Sequence, residues 1–104
     1  LDEGRVNPER ARFEKPRCLA LDVDGTLVID GAINTLVMEF AQERIEAGWD
    51  LLLWSMRGRK HAKHAASLAG LNDVAICTSK PGCVVDDRGL DWLKEVDLVR
   101  LDHG

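Results

Sequence analysis

One stretch near the start of the chain limits the fold more than any other: the apolar run 18–21 ends in two carboxylates, Asp22 and Asp24. The run is apolar on consecutive residues, which is typical of a buried parallel strand. We therefore predict a first strand over residues 17–23. Side chains two residues apart share one face of a strand. The two carboxylates should then lie together at the carboxyl edge of a sheet, where open α/β folds bind ligands.

Two carboxylates held this close repel each other, which favours a cation, a bound phosphate or a shared proton. The pair also fits a solvated turn, because Asp24-Gly25 is a common turn dipeptide. A calcium loop of the Asp-x-Asp-x-Asp-Gly type is rejected, because counting back from Gly25 places Ala20 at the first ligand position and Gly31 where a glutamate is needed. The remaining interpretation is a nucleophilic aspartate, Asp22, with an acid/base aspartate two residues later.

Composition is that of one small globular domain. The 104 residues are 45% hydrophobic and 31% charged, which is an ordinary globular balance. The formal net charge of −4 argues against a generally basic nucleic-acid-binding surface, although a local basic patch stays open. No apolar stretch approaches membrane-spanning length, so we expect no membrane association.

The cysteine content bears on the cellular compartment. The chain has three cysteines in apolar surroundings, an odd number: Cys18, Cys77 and Cys83. We predict buried thiols in a reducing cytoplasm rather than a disulfide framework.

Strand and helix patterns alternate along the chain. Residues 1–16 are mostly charged and predict an N-terminal arm or a short helix near 8–14, while residues 17–104 form a single domain. Within that domain the patterns predict a loop with a small flap at 24–33, helices at 34–47 and 59–69, strands at 50–54, 74–77 and 83–85, a helical turn at 89–95 and an edge-like strand at 97–101. This alternation argues for an α/β fold with one sheet between helices. Only residues 78–82 separate the third and fourth strands, which is fewer than a parallel crossover usually needs.

Polar residues follow the second and third strands. A hydroxyl at Ser55 can hydrogen-bond a phosphate oxygen, and the guanidinium of Arg57 suits a phosphate dianion. Taken alone, Ser55 is better explained as an ordinary helix-leading serine, and Arg57 is explained equally well by surface solvation. Lys80 lies in a stretch that is a turn by composition, where a lysine is ordinarily just exposed.

A second acidic pair, Asp86 and Asp87, follows the apolar run 83–85. Paired carboxylates at a strand end are costly without a cation. The simpler interpretation is an acidic pair at the start of a loop. Carboxylate oxygens of both acidic pairs, a backbone carbonyl and waters would suit Mg²⁺.

In chain order, these features resemble the four motifs of the haloacid dehalogenase (HAD) superfamily. The stretch Asp22-Val23-Asp24-Gly25-Thr26 resembles motif I, Ser55 motif II, Lys80-Pro81 motif III and Asp86-Asp87 motif IV. The Ser-x-Arg arrangement is similar to that of polynucleotide 3′-phosphatase domains and some capless relatives. The chain departs from the family in two respects: the segment that usually carries the motif III helix is nearly absent, and there is no cap module.

The resemblance implies a fold and an activity. The fold would be a minimal doubly wound, three-layer α/β domain with a mainly parallel central sheet and no cap domain. Its first strand would be central, with the second and fourth strands beside it. The activity would be that of a Mg²⁺-dependent phosphomonoester hydrolase, a phosphatase that works through an aspartyl-phosphate intermediate.

The resemblance also implies the residue roles. Asp22 would be the nucleophile, Asp24 the general acid and base, and Lys80 the catalytic lysine that stabilises charge. The remaining roles are phosphate or substrate binding by Thr26, Ser55, Arg57 and Lys80, and Mg²⁺ binding by Asp22, Asp24, Asp86 and Asp87.

Several alternatives stay open. A phosphate- or metal-binding module without turnover is the non-enzymatic one, although the presence of both motif I aspartates argues against it. Among enzymes, a polynucleotide 3′-phosphatase competes with a phosphosugar phosphatase. The local basic cluster favours the nucleic-acid 3′-phosphate; its members are Arg57, Arg59, Lys60 and Lys63. A capless site should be open to a macromolecular substrate or covered by a partner subunit, which leaves a homo-oligomer open.

Two histidines lie three residues apart in the second predicted helix, His61 and His64. Such a pair can bind zinc, but no third ligand is evident nearby. Because lysines adjoin both histidines, we predict a solvated basic face.

Overall fold

The computed structural model describes residues 15–101, so the predicted helix near 8–14 lies outside the described residues. The described elements are, in order, β1 (Cys18–Asp22), β2 (Val28–Ile29), β3 (Ala32–Ile33), α1 (Thr35–Glu46), β4 (Asp50–Ser55), α2 (Arg59–Ala69), β5 (Ala75–Ser79) and a 3₁₀ helix, η1 (Asp91–Glu95). Among these residues no helix has the length and apolar character needed to cross a membrane.

The main sheet has three parallel strands in the order β1-β4-β5. Leu21 of β1 lies opposite Leu53 of β4, and Leu53 lies opposite Cys77 of β5. Helix α1 connects β1 to β4, and helix α2 connects β4 to β5. The described part of the chain is therefore a mixed α/β domain with a parallel sheet and two helices, as the alternation of patterns predicted.

The hydrophobic core lies between one face of this sheet and both helices. The sheet contributes Leu21, Leu51 and Leu53, and the helices contribute five buried residues: Val37 and Ala41 from α1, and Ala62, Ala65 and Ala66 from α2. The alanines allow the backbone of α2 to approach the sheet closely. Leu53 has no exposed surface, and full burial of such a side chain stabilises the fold by about 1.5–3 kcal/mol.

The opposite face of the sheet is less covered, which corrects the prediction of three layers. Ala20 and Ile76 are exposed on that face, while Leu52 and Trp54 are half-buried. Both described helices pack against the other face. Residues 15–101 thus form two layers, because successive crossovers that proceed in one direction across a sheet place their helices on one side.

The predicted strands at 83–85 and 97–101 do not form. Residues 83–86 and 97–101 are irregular, and Val85 is 97% exposed. The first strand is consequently at an edge of the sheet, so the expectation that it is central, with a fourth strand beside it, is wrong for the described chain.

Chain length explains why the strand at 83–85 cannot reach the edge of β1. A parallel strand there would place Cys83 about three strand spacings to the side of Ser79 and about 10 Å back along the sheet, roughly 17 Å away. The four residues from Lys80 to Cys83 can span only about 14 Å when fully extended.

The predicted flap is a two-stranded antiparallel hairpin, in which Ile29 of β2 pairs with Ala32 of β3. Its two-residue loop has positive φ at both positions, 51° at Asp30 and 80° at Gly31. This is the geometry of a type I′ turn, for which Asp-Gly is a preferred sequence. The hairpin is only two residue pairs long, so it is a flap and not a domain.

Helix boundaries follow the local signals in the sequence. Helix α2 begins and ends at the predicted residues, and Gly70 closes it in the left-handed conformation with φ 72°. Asn34 caps α1, because its side-chain oxygen accepts a hydrogen bond from the Leu36 N–H at 3.1 Å. Strand β5 extends to Ser79 rather than ending at residue 77, which brings Lys80 to the edge of the sheet.

The cysteines differ from the prediction of buried thiols. Cys18 and Cys83 are exposed, and Cys77 is half-buried; all three are free. Cys18 lies at the start of an edge strand, and Cys83 lies in the irregular segment after β5, so neither is covered by a neighbouring layer.

Candidate functional site

The carboxyl edge of the sheet brings together Asp22, Lys80 and Thr26. Asp22 is the last residue of β1, and the Lys80 ammonium lies 3.2 Å from its Oδ1. The Thr26 hydroxyl donates to Asp22 Oδ2 at 3.4 Å, which is a long hydrogen bond. The Asp22 side chain is 36% exposed and that of Lys80 is 31% exposed. The site thus offers a carboxylate, an ammonium and a hydroxyl that a ligand can reach from solvent.

A tight turn after β1 sets the positions of Asp24 and Thr26. The Val28 N–H donates to the Val23 carbonyl at 2.9 Å, and the Gly25 N–H donates to the Val28 carbonyl at 2.9 Å. Gly25 has φ 79°, a conformation that glycine adopts without strain. Val23 and Leu27 are 1% and 0% exposed, so the turn is anchored in the core on either side of Asp24.

Asn34 ties this turn to helix α1. Its side-chain amide donates to the Thr26 carbonyl at 3.1 Å, while its backbone N–H donates to the Leu27 carbonyl at 2.8 Å. Only 7% of Asn34 is exposed. One buried side chain therefore both caps the helix and supports the backbone that presents Thr26.

Asp24 does not share its partners with Asp22. His61 Nε2 lies 3.1 Å from Asp24 Oδ2 and 3.2 Å from Oδ1. The Arg57 guanidinium also contacts Asp24 and lies 3.5 Å from its Oδ1. Each of the two carboxylates accordingly has its own cationic or hydrogen-bonding partners: Lys80 for Asp22, and His61 with Arg57 for Asp24.

Ser55 is buried at the end of β4, with 2% of its surface exposed. Its hydroxyl oxygen accepts a hydrogen bond from the Arg57 N–H at 3.0 Å, and its carbonyl accepts from Gly58 and Lys80 at 3.2 and 3.0 Å. Ser55 therefore organises the backbone from which Arg57 and Lys80 extend. The hydroxyl proton can still be donated to another acceptor.

The second acidic pair is not part of this group. Asp86 accepts a hydrogen bond from the Arg88 N–H at 2.8 Å within its own turn. Arg88 forms an ion pair with Glu95 of η1, and its hydrogen bond to Glu95 raises the pKa of Arg88. The turn that carries Asp86 and Asp87 is thereby held to η1.

The metal donors implied by the motifs do not converge in this arrangement. Within residues 15–101, no three His, Cys, Asp or Glu side chains come together as a metal-binding group. Asp22 and Asp24 lie at the tip of β1, whereas Asp86 and Asp87 lie in the turn that is held to η1. Mg²⁺ requires an oxygen-rich shell, to which both acidic pairs would have to contribute. The donor set for Mg²⁺ is therefore incomplete in this conformation.

His61 is the site residue that sequence reasoning missed. We predicted a solvated basic face for it, yet its side chain is 23% exposed and contacts Asp24. The available signal was its position six residues after Ser55, in the first turn of α2. The first turn of a helix that follows a parallel strand lies at the same edge as the strand tips.

No match to this chain is found among protein-family models, curated proteins or solved structures. The arrangement presents two cationic side chains, Lys80 and Arg57, each beside an accessible carboxylate at the carboxyl edge of the sheet.

Proposed function

We propose that this protein is a phosphomonoester hydrolase that acts through an aspartyl-phosphate on Asp22, as in HAD-like phosphatases, and that turnover requires Mg²⁺. The observation that carries the proposal is the pairing of Lys80 with Asp22 at 3.2 Å beside an independently held Asp24. A nucleophile and a proton-transfer group with separate partners can each do their own part of the reaction.

In the first half-reaction, a carboxylate oxygen of Asp22 attacks the phosphorus. The bond from Asp22 to phosphorus forms as the bond from phosphorus to the leaving oxygen breaks. Asp24 in its protonated form donates its proton to that oxygen. The Lys80 ammonium lies where it can offset negative charge on the transferring group, the kind of fixed electrostatic assistance on which phosphoryl transfer depends.

In the second half-reaction, Asp24 is ionised and accepts a proton from water. The water oxygen attacks phosphorus, and the bond between Asp22 and phosphorus breaks. Inorganic phosphate and the free Asp22 carboxylate result, and Asp24 is again protonated for the next cycle. Thr26, Ser55 and Arg57 are proposed to bind the phosphoryl oxygens.

Mg²⁺ would lower the repulsion between the phosphate dianion and the Asp22 carboxylate. Carboxylate oxygens of Asp22 and Asp24, together with Asp86 or Asp87, would hold it. Among the described residues these four side chains do not form one metal-binding group.

The two cationic side chains at the site also fit one alternative, a phosphate-binding module without turnover. Lys80, Arg57 and Thr26 would be sufficient to bind an anion, and hydrolysis would not occur. This alternative and the phosphatase differ in whether phosphate is released.

The accessibility of the site and the local basic cluster indicate which substrates should be tested. The side chain of Arg57 is 67% exposed. Three further exposed cations begin helix α2: Arg59, Lys60 and Lys63. These charges suit a polyanion, so a nucleic-acid 3′-phosphate is the first macromolecular substrate to test, with phosphosugars as the second class. We also propose that the protein is cytoplasmic and that it can assemble into a homo-oligomer.

The test is phosphate release from an aryl phosphate, a 3′-phosphorylated oligonucleotide and a phosphosugar, with Mg²⁺ and with chelator. We expect release that requires Mg²⁺ and is abolished in Asp22→Asn. Stabilisation of the protein by a phosphorylated ligand, without release from any of these substrates, would support the binding module instead.

A further inference from the structure

The contact between His61 and Asp24 is bifurcated. His61 Nε2 lies almost equally far from both carboxylate oxygens, 3.1 Å from Oδ2 and 3.2 Å from Oδ1. A proton on Nε2 can therefore be donated to either oxygen. Such a contact restrains rotation of the carboxylate more than a bond to a single oxygen does.

Asp24 and His61 each lie next to residues that are buried in the core. Asp24 lies in the turn that Val23 and Leu27 anchor in the core. His61 precedes Ala62, which has no exposed surface and packs in the core between α2 and the sheet. The imidazole is only 23% exposed, whereas the Asp24 side chain is 49% exposed. The His61 side chain is therefore packed more closely than that of Asp24, and it is the partner that can restrain the other.

Arg57 cannot supply the same restraint. Its guanidinium is 3.5 Å from only one Asp24 oxygen, and its side chain is 67% exposed. A long, solvated arginine keeps much of its rotational freedom, while an imidazole on a helix has two side-chain dihedrals.

We propose that His61 is a positioning residue for Asp24: it holds the carboxylate at the orientation in which Asp24 transfers the proton to the leaving oxygen. This inference rests on the phosphatase reaction proposed above. In this role His61 acts on the reaction only through Asp24. A small error in the placement of a reacting group can lower the rate by about 100-fold, so orientation alone can be decisive.

The role predicts dependence on the leaving group. An alkoxide leaving group needs a proton as its bond to phosphorus breaks, whereas nitrophenolate is stable without one. Loss of Asp24 orientation should therefore lower kcat/KM for an alkyl phosphate much more than for 4-nitrophenyl phosphate. A histidine needed only for folding would affect both substrates equally.

The experiment compares wild type, His61→Ala, His61→Gln and His64→Ala with glycerol 2-phosphate and 4-nitrophenyl phosphate. Glutamine carries an N–H at about the position of Nε2, so it should restore most of the lost rate. His64 lies on the same helix and is exposed, which makes His64→Ala the matched control. Urea denaturation of each variant checks folding, and little change is expected, because the Asp24 side chain is half-exposed and water can replace the lost hydrogen bond.

We expect His61→Ala to lower kcat/KM for glycerol 2-phosphate by about 10- to 100-fold and to have a clearly smaller effect on 4-nitrophenyl phosphate. Equal loss on both substrates, or rates equal to those of His64→Ala, would overturn the positioning role while leaving the phosphatase intact. Wild-type protein that releases no phosphate from these two substrates, from a 3′-phosphorylated oligonucleotide or from a phosphosugar would instead overturn the proposed function, and this inference with it.

Discussion

The Lys80 ammonium and the Asp22 carboxylate pair at 3.2 Å across the carboxyl edge of the sheet. Asp22 ends β1 and Lys80 follows β5, and β4 lies between these two strands. Lys80 reaches this position because its backbone N–H donates to the Ser55 carbonyl at 3.0 Å. The middle strand therefore sets the distance between the proposed nucleophile and its cation.

Replacing Lys80 by methionine should lower kcat by about 100- to 1000-fold, because the positive charge beside the transferring group is lost. Lys80→Arg should retain more activity, since it keeps the charge at a different geometry. Initial-rate kinetics measures both. Lys94→Met is the matched control, because Lys94 is an exposed lysine that pairs with Asp91 on η1. Equal rates for Lys80→Met and Lys94→Met would contradict the role of Lys80.

Replacing Ser55 by alanine should affect the site more than the fold. The Arg57 N–H loses its acceptor, a change that costs about 1 kcal/mol of unfolding free energy. We expect KM for a phosphate monoester to rise, because the hydroxyl that orients the Arg57 backbone is lost. The Ser55 carbonyl remains and still accepts from the Lys80 N–H, so the placement of Lys80 should be retained. Ser67→Ala removes an exposed hydroxyl that donates to Asn72 and is the control. An unchanged KM would show that Ser55 has only a local structural role.

Asn34→Ala should destabilise the protein by about 1–2 kcal/mol, since a helix cap is removed. The change also leaves the Thr26 carbonyl without its side-chain donor. Urea denaturation measures the difference in unfolding free energy. Thr35→Ala at the next position, which is exposed, should cost less. If both variants unfold at the same urea concentration, Asn34 does not support the turn as described.

Cys77 should react with N-ethylmaleimide more slowly than the other two thiols. Burial raises the pKa of Cys77, and the nearby charge of Lys63 offsets this only in part. A raised pKa leaves less of the reactive thiolate at any pH below it, so modification of Cys77 should accelerate as the pH rises. Cys18 and Cys83 are exposed and serve as internal references in peptide mass spectrometry. Faster labelling of Cys77 than of Cys83 would contradict the burial seen here.

Local signals were sufficient for much of the secondary structure. The residue pattern over 59–69 predicted helix α2 at its observed bounds. Helix α1 begins one residue after its predicted start, because Asn34 caps the helix and is not its first helical residue. The turn at Asp30-Gly31 likewise depends on backbone preferences of its own two residues.

Sequence patterns were sufficient to predict that Asp22 and Asp24 lie at or just beyond the end of the first strand. They also predicted that Ser55 and Lys80 lie at the ends of two other strands. These features depend on residue type and short spacing. Tertiary structure alone decided which strand neighbours which, that α1 and α2 cover one face, and that Asp86 and Asp87 stay apart from Asp22 and Asp24 in the described chain. It also decided that His61 contacts Asp24 across 37 positions of the sequence. The physical reason is that such contacts depend on the path of the backbone between elements, which periodicity and spacing do not encode.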